Sequence, residues 1–513
     1  MLLFVLILLL AYYCYCLGTR NFTYWSKKGV KHVKPVFFFG NVYKQLTLHL
    51  SISEQIDEWY NTFPNEKYVG AYLLSDLALV LRDPELIKRV LVTDFRYFHP
   101  RGVHPHKHVR EPLFQNLFTA DGDVWKLLRQ RLTPAFSSGK LKAMFPLIIK
   151  TAEKMLTVAE SSCDKEIDIR ELMARYTTDF IGSCGFGLDF DSLNEEESVF
   201  RQLGKRIFTV TNRDALVFVL KRAAPETFKN VDFFAREIET DTLHIIKQIV
   251  EKRNHKPSGR NDFIDLLLEL KQKGKVVGES IEKFSADGSP QTVELELDDL
   301  MIAAQVFIFF AAGFETSSSA SSFILHELAF HPEEQERCQK EIDEVLSRYN
   351  GKICYEALKE MKYLEMAFKE AIRLYPSPGF LIRKSVKKYT FPESGLTIDE
   401  DVGILIPLQS LHRDPRFFED PDTFKPARFL PENVGKIPKF AYMPFGEGPR
   451  ACIGERLGII QSLAGVCSLL SRFSVKPAPT ACRRPRTDPR SAIVQNILGG
   501  LPLILIERNV KTE

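Results

Sequence analysis

The segment that most constrains this chain runs from Asp298 to Phe330. It opens on two acids, Asp298 and Asp299, continues as MIAAQVFIFFAAG, becomes Ser-rich and stops at His331-Pro332. Acids favour a helix N-terminus, and a proline ends a helix. Apolar side chains fall on nearly all faces, so the spacing predicts a helix buried along much of its length. With 513 residues, 45% of them hydrophobic and 26% charged, the chain has the core to bury it and is not a disordered protein. Phe is common, at 39 residues, which fits either ordinary core filling or a bulky apolar cavity.

Around that segment the pattern is mainly helical. From Gly122 to about His255, apolar residues recur three and four apart, as in Ile148 to Ala159 and Phe233 to Ile249. Glu333 to Leu346 and Tyr355 to Leu374 read as amphipathic helices, the second ending before Pro376, and a last helix is expected over about Gly454 to Phe473. Strand-like runs sit at Tyr68 to Leu73, at Leu77 to Leu81 and within Tyr389 to Pro407, while Gly499-Gly500 suggests a hairpin reaching Ile506. The polar stretch Lys271 to Pro290 reads as a solvent-facing loop. The expected fold is mainly α with small β-sheet regions (α+β).

Residues Met1 to Gly18 carry no charge, and as a helix they reach about 27 Å, the hydrocarbon thickness of a thin bilayer. They lack the basic leader and small-residue cleavage site of a removed signal peptide. Arg20, Lys27, Lys28, Lys31 and Lys34 follow, a flank that stays cytosolic and meets anionic headgroups. The sequence therefore divides into a transmembrane anchor over 1–19, a basic membrane-proximal linker over 20–40 and a catalytic domain over 41–513. In that orientation Asn21-Phe22-Thr23 is a chance match to a glycosylation acceptor. A formal charge of +3 is too small for a dedicated nucleic-acid binder. The scattered cysteines indicate neither a disulfide scaffold nor a structural zinc site.

Familiar catalytic motifs narrowly miss. His331 falls one position too late after His326-Glu327 for two ligands on one helix face. Pro449 interrupts the run begun by Gly446 and Gly448, and no GxxxxGK[ST] or GxSxG occurs. The exception is the segment Phe445 to Gly454, FGEGPRACIG. Its glycines permit close backbone approach to a flat group, Arg450 can neutralise carboxylates, and Cys452 precedes a helix whose N-terminus can hold a thiolate. Those are the requirements of a haem-thiolate site, where the thiolate favours O–O cleavage. A structural turn around a buried cysteine meets them as well.

At this point the chain resembles the cytochrome P450 superfamily, through four separated elements in the expected order. Trp125 and Arg129 match WxxxR, Ala312-Gly313-Phe314-Glu315-Thr316 matches the oxygen-activation motif, and Glu370 and Arg373 match ExxR. Phe445, Gly448, Arg450, Cys452 and Gly454 match the haem-binding loop. The stretch SSGKLKAMF from Ser137 to Phe145, with the anchor layout, is similar to insect microsomal detoxification monooxygenases.

The resemblance implies residue roles. Cys452 becomes the axial ligand of haem b iron, with Phe445 packing near the thiolate and Gly454 closing the loop. Trp125, Arg129, Arg383 and Arg450 become contacts to the haem propionates. Glu315 and Thr316 become the acid and alcohol of proton delivery, with Gly313 leaving room where the helix passes the haem. Glu370, Arg373 and Arg428 form a structural ion-pair network, although Ala427 stands where the family usually has glutamate, which puts local stability in doubt. Phe307, Phe310 and Ala311 on the long helix, and Phe380 and Leu381, are candidates for the substrate space, as are 104–117, 208–218 and 497–501; for the helix residues, core packing explains their apolarity equally.

The implied activity inserts one atom of dioxygen into small lipophilic substrates, xenobiotics before steroids or fatty acids, while the other atom leaves as water. Electrons come from NADPH through a separate reductase, because the chain has no nucleotide-binding fingerprint of its own, and cytochrome b5 is a further candidate donor. Lys126 and Arg131 are candidates for reductase docking, and the implied location is the endoplasmic reticulum membrane with the catalytic domain in the cytosol. The alternatives are an endogenous steroid or fatty-acid hydroxylase, a peroxide-using or isomerising haem-thiolate enzyme, a non-catalytic haem-binding protein and a membrane-associated structural protein.

Overall fold

The computed structural model describes residues 2–103, 111–188, 191–195, 199–260 and 262–508. Its axis is the central helix Asp299–Phe330. Asp298 caps that helix by accepting the Met301 N–H at 2.7 Å. In the Ser-rich half, Ser318, Ser321 and Ser322 turn their hydroxyls back onto carbonyls three or four residues earlier, which lets polar side chains sit inside the core. The helix is long and apolar enough to cross a membrane, yet most of its side chains are buried in protein. Helices Ile169–Ile181, Lys362–Leu374 and Glu455–Arg472 pack on it, and Ser138–Ser161 packs on the first and last of these.

Small sheets flank this helical core. The strands are β1 (Tyr68–Leu73), β2 (Asp76–Leu81), β3 (Glu166–Asp168), β4 (Val276–Phe284), β5 (Pro290–Leu295), β6 (Leu381–Lys384), β7 (Tyr389–Thr390), β8 (Thr397–Ile398), β9 (Gly403–Ile406), β10 (Phe473–Pro477) and β11 (Pro502–Glu507). β1-β2-β9-β6 form one sheet, antiparallel except for the β2–β9 pair, and its apolar side chains make a second core with Trp59, Tyr60 and Phe98. β10-β11-β3 form an antiparallel sheet, and β4-β5 and β7-β8 pair separately.

Three sequence expectations differ from the structure. The stretch from Lys271 to Pro290 is not a loop: it ends a helix, Phe263–Gln272, and enters the β4–β5 hairpin, which packs on the helix Gly122–Leu132. The strand after Gly499-Gly500 folds back on β10, the strand before it, but across a long connection rather than a tight hairpin, and β3 pairs on its other side. The segment 20–40 is folded onto the sheet, not draped as a linker. Trp25 is fully buried and donates its indole N–H to the Ala71 carbonyl at 3.0 Å, while Arg20 pairs with Asp76 and Lys28 with Asp399. The buried indole of Trp25 takes a large apolar surface out of water and holds the segment there. The preceding helix, Leu2–Thr19, exposes Leu3, Phe4, Val5, Leu8, Leu9, Tyr12, Tyr13 and Tyr15.

Candidate active site

The loop before the last helix is built by glycine conformations and backbone bonds. Gly446 and Gly448 have φ of +72° and +74°, and a Cβ on Gly448 would overlap the Leu91 carbonyl oxygen. The Gly446 N–H reaches Met443 O at 2.9 Å and the Cys452 N–H reaches Phe445 O at 2.8 Å, closing the loop so that Cys452 enters the helix Glu455–Arg472 with Gly454 at its N-cap. By accessible surface Cys452 is exposed, yet protein surrounds it closely enough for burial to push its thiol up. Both hold if the sulfur opens onto an interior cleft rather than bulk water. The Gly454 N–H and the charges of Arg129 and Arg101 favour thiolate, but burial outweighs them. The helix N-terminus therefore contributes to holding a thiolate, as the sequence suggests, against the opposing effect of burial.

The arginines expected at this site converge, and one that the sequence did not mark joins them. Arg450 is buried; its Nε donates to His99 O at 2.6 Å, its Nη2 to Ala120 O and Asp121 Oδ1 at 2.9 Å, and the guanidinium stacks on Trp125 at 4.3 Å. Arg101 bonds Phe118 O at 2.6 Å and Arg450 O at 3.3 Å, and its backbone N–H and that of Gly102 donate to Asp121. Arg383, on β6, is 1% exposed and gives Nη1 only to its neighbour's carbonyl, Ile382 O. Burial, then mutual repulsion, holds Arg383 well below the usual arginine range and lowers Arg101 to about 10 and Arg450 to about 9; burial also lowers Arg129. Guanidinium stays protonated in proteins, so these shifts express the cost of crowding cations around one carboxylate, Asp121, rather than neutral arginines.

This supplies a test of fit. Among the described residues, Arg383 Nε, Arg450 Nη1 and His99 Nδ1 are buried without a partner. Cations in excess of anions, orphaned donors and a nearby sulfur suit a flat ligand that carries two carboxylates and a central metal, so the residues present fit haem. His99, lowered to about 4 chiefly by burial, and Asp121 belong to this cluster but sit in loops without a motif spacing, which is why the sequence reading missed both and Arg101.

On the central helix, Ile308, Phe309, Ala312, Gly313 and Thr316 retain accessible surface within an otherwise buried element. Ile308, Ala312 and Thr316 are four apart and share a face. The Thr316 hydroxyl donates to Ala312 O at 2.6 Å. Phe307, Phe310 and Ala311 are buried instead: Phe307 packs on Phe234 and Phe310 on Phe186 and Phe314. Gly313 is small because a Cβ would overlap Ile181 on the neighbouring helix, a different reason from the clearance expected beside a haem. Glu315 is buried and receives Arg170 Nη2 at 2.6 Å, in a pocket where Arg170 also reaches Gln495 O and Asn496 Oδ1. No motif spacing marks Arg170. Phe380 and Leu381 are half-buried, and Leu381 lies against Gly446 of the cysteine loop. Residues 104–110 of the expected access segment lie outside the described residues.

Glu370 is fully buried. It accepts Arg373 Nε at 2.7 Å, Arg373 Nη2 at 2.9 Å, Arg428 Nε at 3.1 Å and the Lys425 N–H at 2.9 Å. The network closes without a carboxylate at position 427; Ala427 contributes its carbonyl, which receives Asn433 Nδ2 at 2.9 Å. Arg373 Nη1 also donates to His412 O at 2.7 Å, and His412 Nε2 accepts the Met443 N–H at 3.0 Å, linking this network to the cysteine loop. Burial, reinforced by Arg373, lowers His412 to about 3, so it is a neutral acceptor.

Known proteins are similar in sequence to this chain over most of its length. A profile described as Cytochrome P450 matches residues 31–502. The chain is 36% identical over 492 residues to cytochrome P450 6B2 of Helicoverpa armigera, covering 96% of this chain and 95% of that one. It is 38% identical over 456 residues to probable cytochrome P450 6a13 of Drosophila melanogaster, covering 88% of each. Cytochrome P450 6B5 of Papilio glaucus is 38% identical over 470 residues, covering 90% of this chain and 95% of that one. The fold, the cysteine loop and these relatives together make the chain a member of the cytochrome P450 family of haem-iron monooxygenases.

Proposed function

We propose that the chain is a membrane-anchored monooxygenase of small lipophilic foreign compounds, receiving electrons from NADPH through a separate reductase, with cytochrome b5 as a second donor. The observation that carries the reading is the accessible sulfur of Cys452 beside an arginine cluster with too few anions. Haem b held there supplies dioxygen binding and reductive activation. Cys452 ligates the iron; Phe445, half-buried next to it, limits water. Arg101, Arg129, Arg383 and Arg450, with Trp125, neutralise the two propionates.

Ile308 and Ala312 offer an apolar wall to the substrate, and Thr316 presents the hydroxyl that passes protons on the same face. Glu315 lies about 100° further round the helix and is paired to Arg170, so a proton reaches Thr316 from it only when that pair opens. The helix Leu2–Thr19, with its exposed Leu, Phe and Tyr side chains, supports the anchor, and the basic residues after it support a cytosolic body on the endoplasmic reticulum membrane.

The test is the ferrous carbon monoxide difference spectrum of purified protein, followed by reductase-supported turnover of lipophilic substrates. A strongly red-shifted Soret band with NADPH- and reductase-dependent product is expected. No haem signal, or a Soret band that Cys452→Ala leaves unchanged, refutes the site; thiolate-ligated haem without reductase-supported turnover refutes the electron route.

A further inference from the structure

The helix Gly122–Leu132 has two working faces. Trp125 and Arg129, four apart, turn toward the arginine cluster, and Asp123, Lys126, Leu127, Gln130 and Arg131 turn outward. The β4–β5 hairpin covers the outward face. Gly278 lies against Leu127 and Gln130, Lys126 approaches Glu279 at 3.9 Å, and Arg131 Nη2 donates to Val277 O at 3.2 Å. The two cations expected to meet a reductase are thus engaged by the hairpin.

The tightest contact is at the start of the helix. Asp121 stands at the N-cap but makes no side-chain cap bond, because its carboxylate is taken by Arg450 and by the N–H groups of Arg101 and Gly102. The hairpin supplies what is missing. Its register shifts between Glu279 and Phe284, and in that bulge Glu282 sets its carboxylate against Gly122 in the first turn of the helix, where the Asp123 backbone N–H favours its ionised form against burial. A Cβ on Gly122 would overlap that carboxylate. In return the Asp123 carboxylate accepts the hydroxyl of the buried Ser280 at 2.8 Å and the Ile281 N–H at 2.7 Å, while Ser280 Oγ takes the Glu282 and Lys283 N–H groups at 3.0 and 2.7 Å. The Ile281 N–H and the Ser280 hydroxyl join hairpin to helix, while the Glu282 and Lys283 N–H groups hold Ser280 in place within the bulge.

We propose that the β4–β5 hairpin is a positioning element of the haem site, with Ser280 and Glu282 as positioning residues that fix Trp125 and Arg129 through the N-terminus of their helix. The inference rests on reading the Cys452 and arginine cleft as the haem site. Because Asp121 is committed to the cation cluster, the helix that carries two of the five propionate contacts depends on a distant segment to hold its first turn. Haem retention is thereby coupled to a surface hairpin that touches neither iron nor substrate.

The test uses the full-length holoenzyme. Haem transfer to excess apomyoglobin, the ferric–ferrous reduction potential and the urea midpoint are measured for Glu282→Ala, Glu282→Gln, Ser280→Ala, Trp125→Ala, Arg129→Ala and Lys275→Ala. Loss of the carboxylate oxygens that face the first turn of the helix is expected to speed haem loss about fivefold in Glu282→Ala. The potential falls with it, because a displaced Arg129 no longer favours the reduced iron. Glu282→Gln, whose amide oxygen still accepts, restores most of both; Lys275→Ala, which breaks only the Lys275–Glu294 pair within the hairpin, changes neither. Wild-type haem loss and potential in Glu282→Ala and Ser280→Ala, with faster loss in Trp125→Ala and Arg129→Ala, overturns the inference and leaves the site reading intact. A lowered urea midpoint without a change in haem loss or potential overturns it too. No effect of Trp125→Ala or Arg129→Ala on haem retention brings down the site reading and the inference with it.

Discussion

Glu370→Gln is the substitution from which the structure predicts the largest loss for the smallest change in shape. The carboxylate receives three bonds from two guanidiniums and one from the Lys425 backbone, and its partners Arg373 and Arg428 are buried with it. The amide keeps one acceptor, but its NH2 points at a guanidinium that can only donate, so two cations lose their anion inside the core. Breaking a buried pair from one side costs about 3–5 kcal/mol, a fifth or more of the roughly 5–15 kcal/mol that holds a domain together. In urea this lowers the midpoint by about 1–2 M. The effect also has a direction through the fold. Arg373 holds His412 O, and His412 holds the Met443 N–H at the entrance of the cysteine loop, so the carbon monoxide band of Glu370→Gln should shift away from the thiolate form before global unfolding. The exposed Lys340–Glu344 pair is the matched control, and Glu344→Gln leaves midpoint and band unmoved. A Glu370→Gln protein that unfolds within about 1 kcal/mol of wild type would show that the network is not what stabilises this core.

Acid destabilisation begins at the histidines. His99 and His412 stay neutral in the fold down to about 4 and about 3, against an ordinary value of 6.5, so the unfolded chain binds the extra protons first. Their contribution is complete above about pH 6.5 and is lost as pH falls through those windows, by about 1.4 kcal/mol per pH unit for each. Urea midpoints between about pH 7.5 and about pH 5 should show this slope, and His412→Asn should flatten it. Arg170→Met leaves Glu315 buried without its cation and costs about 3–5 kcal/mol, while Arg170→Met with Glu315→Gln recovers most of it; additive losses in that double-mutant cycle would refute the pair. Gly448→Ala forces a Cβ onto the Leu91 carbonyl at a positive φ, and should give protein that folds with its thiolate band lost; a wild-type carbon monoxide spectrum would contradict the loop geometry.

What was legible in the sequence is what repeats or clusters along it. Apolarity on all faces identified the central helix, and the glycines flanking Cys452 announced a close backbone approach. Properties that arise only from convergence were hidden. Arg101, Asp121, Arg383 and Arg450 come from segments far apart in the chain, and no spacing rule predicts that one carboxylate will serve so many cations. Polarity misled at Lys271 to Pro290, where Ser280 is polar because it bonds to a helix and not because it faces water. Adjacency misled at Glu315 and Thr316. One residue turns a helix by about 100°, so neighbours in a motif face different partners, and the acid meets Arg170 while the alcohol stays on the open face. The same rotation buries the rings of Phe307 and Phe310 and the methyl of Ala311 and leaves Ile308 and Ala312 in line with Thr316, on the face proposed as the substrate wall. Bulk added at Ala312 should therefore narrow the range of substrates with little effect on folding. Bulk added at Ala311 meets close-packed core and should act on stability before selectivity.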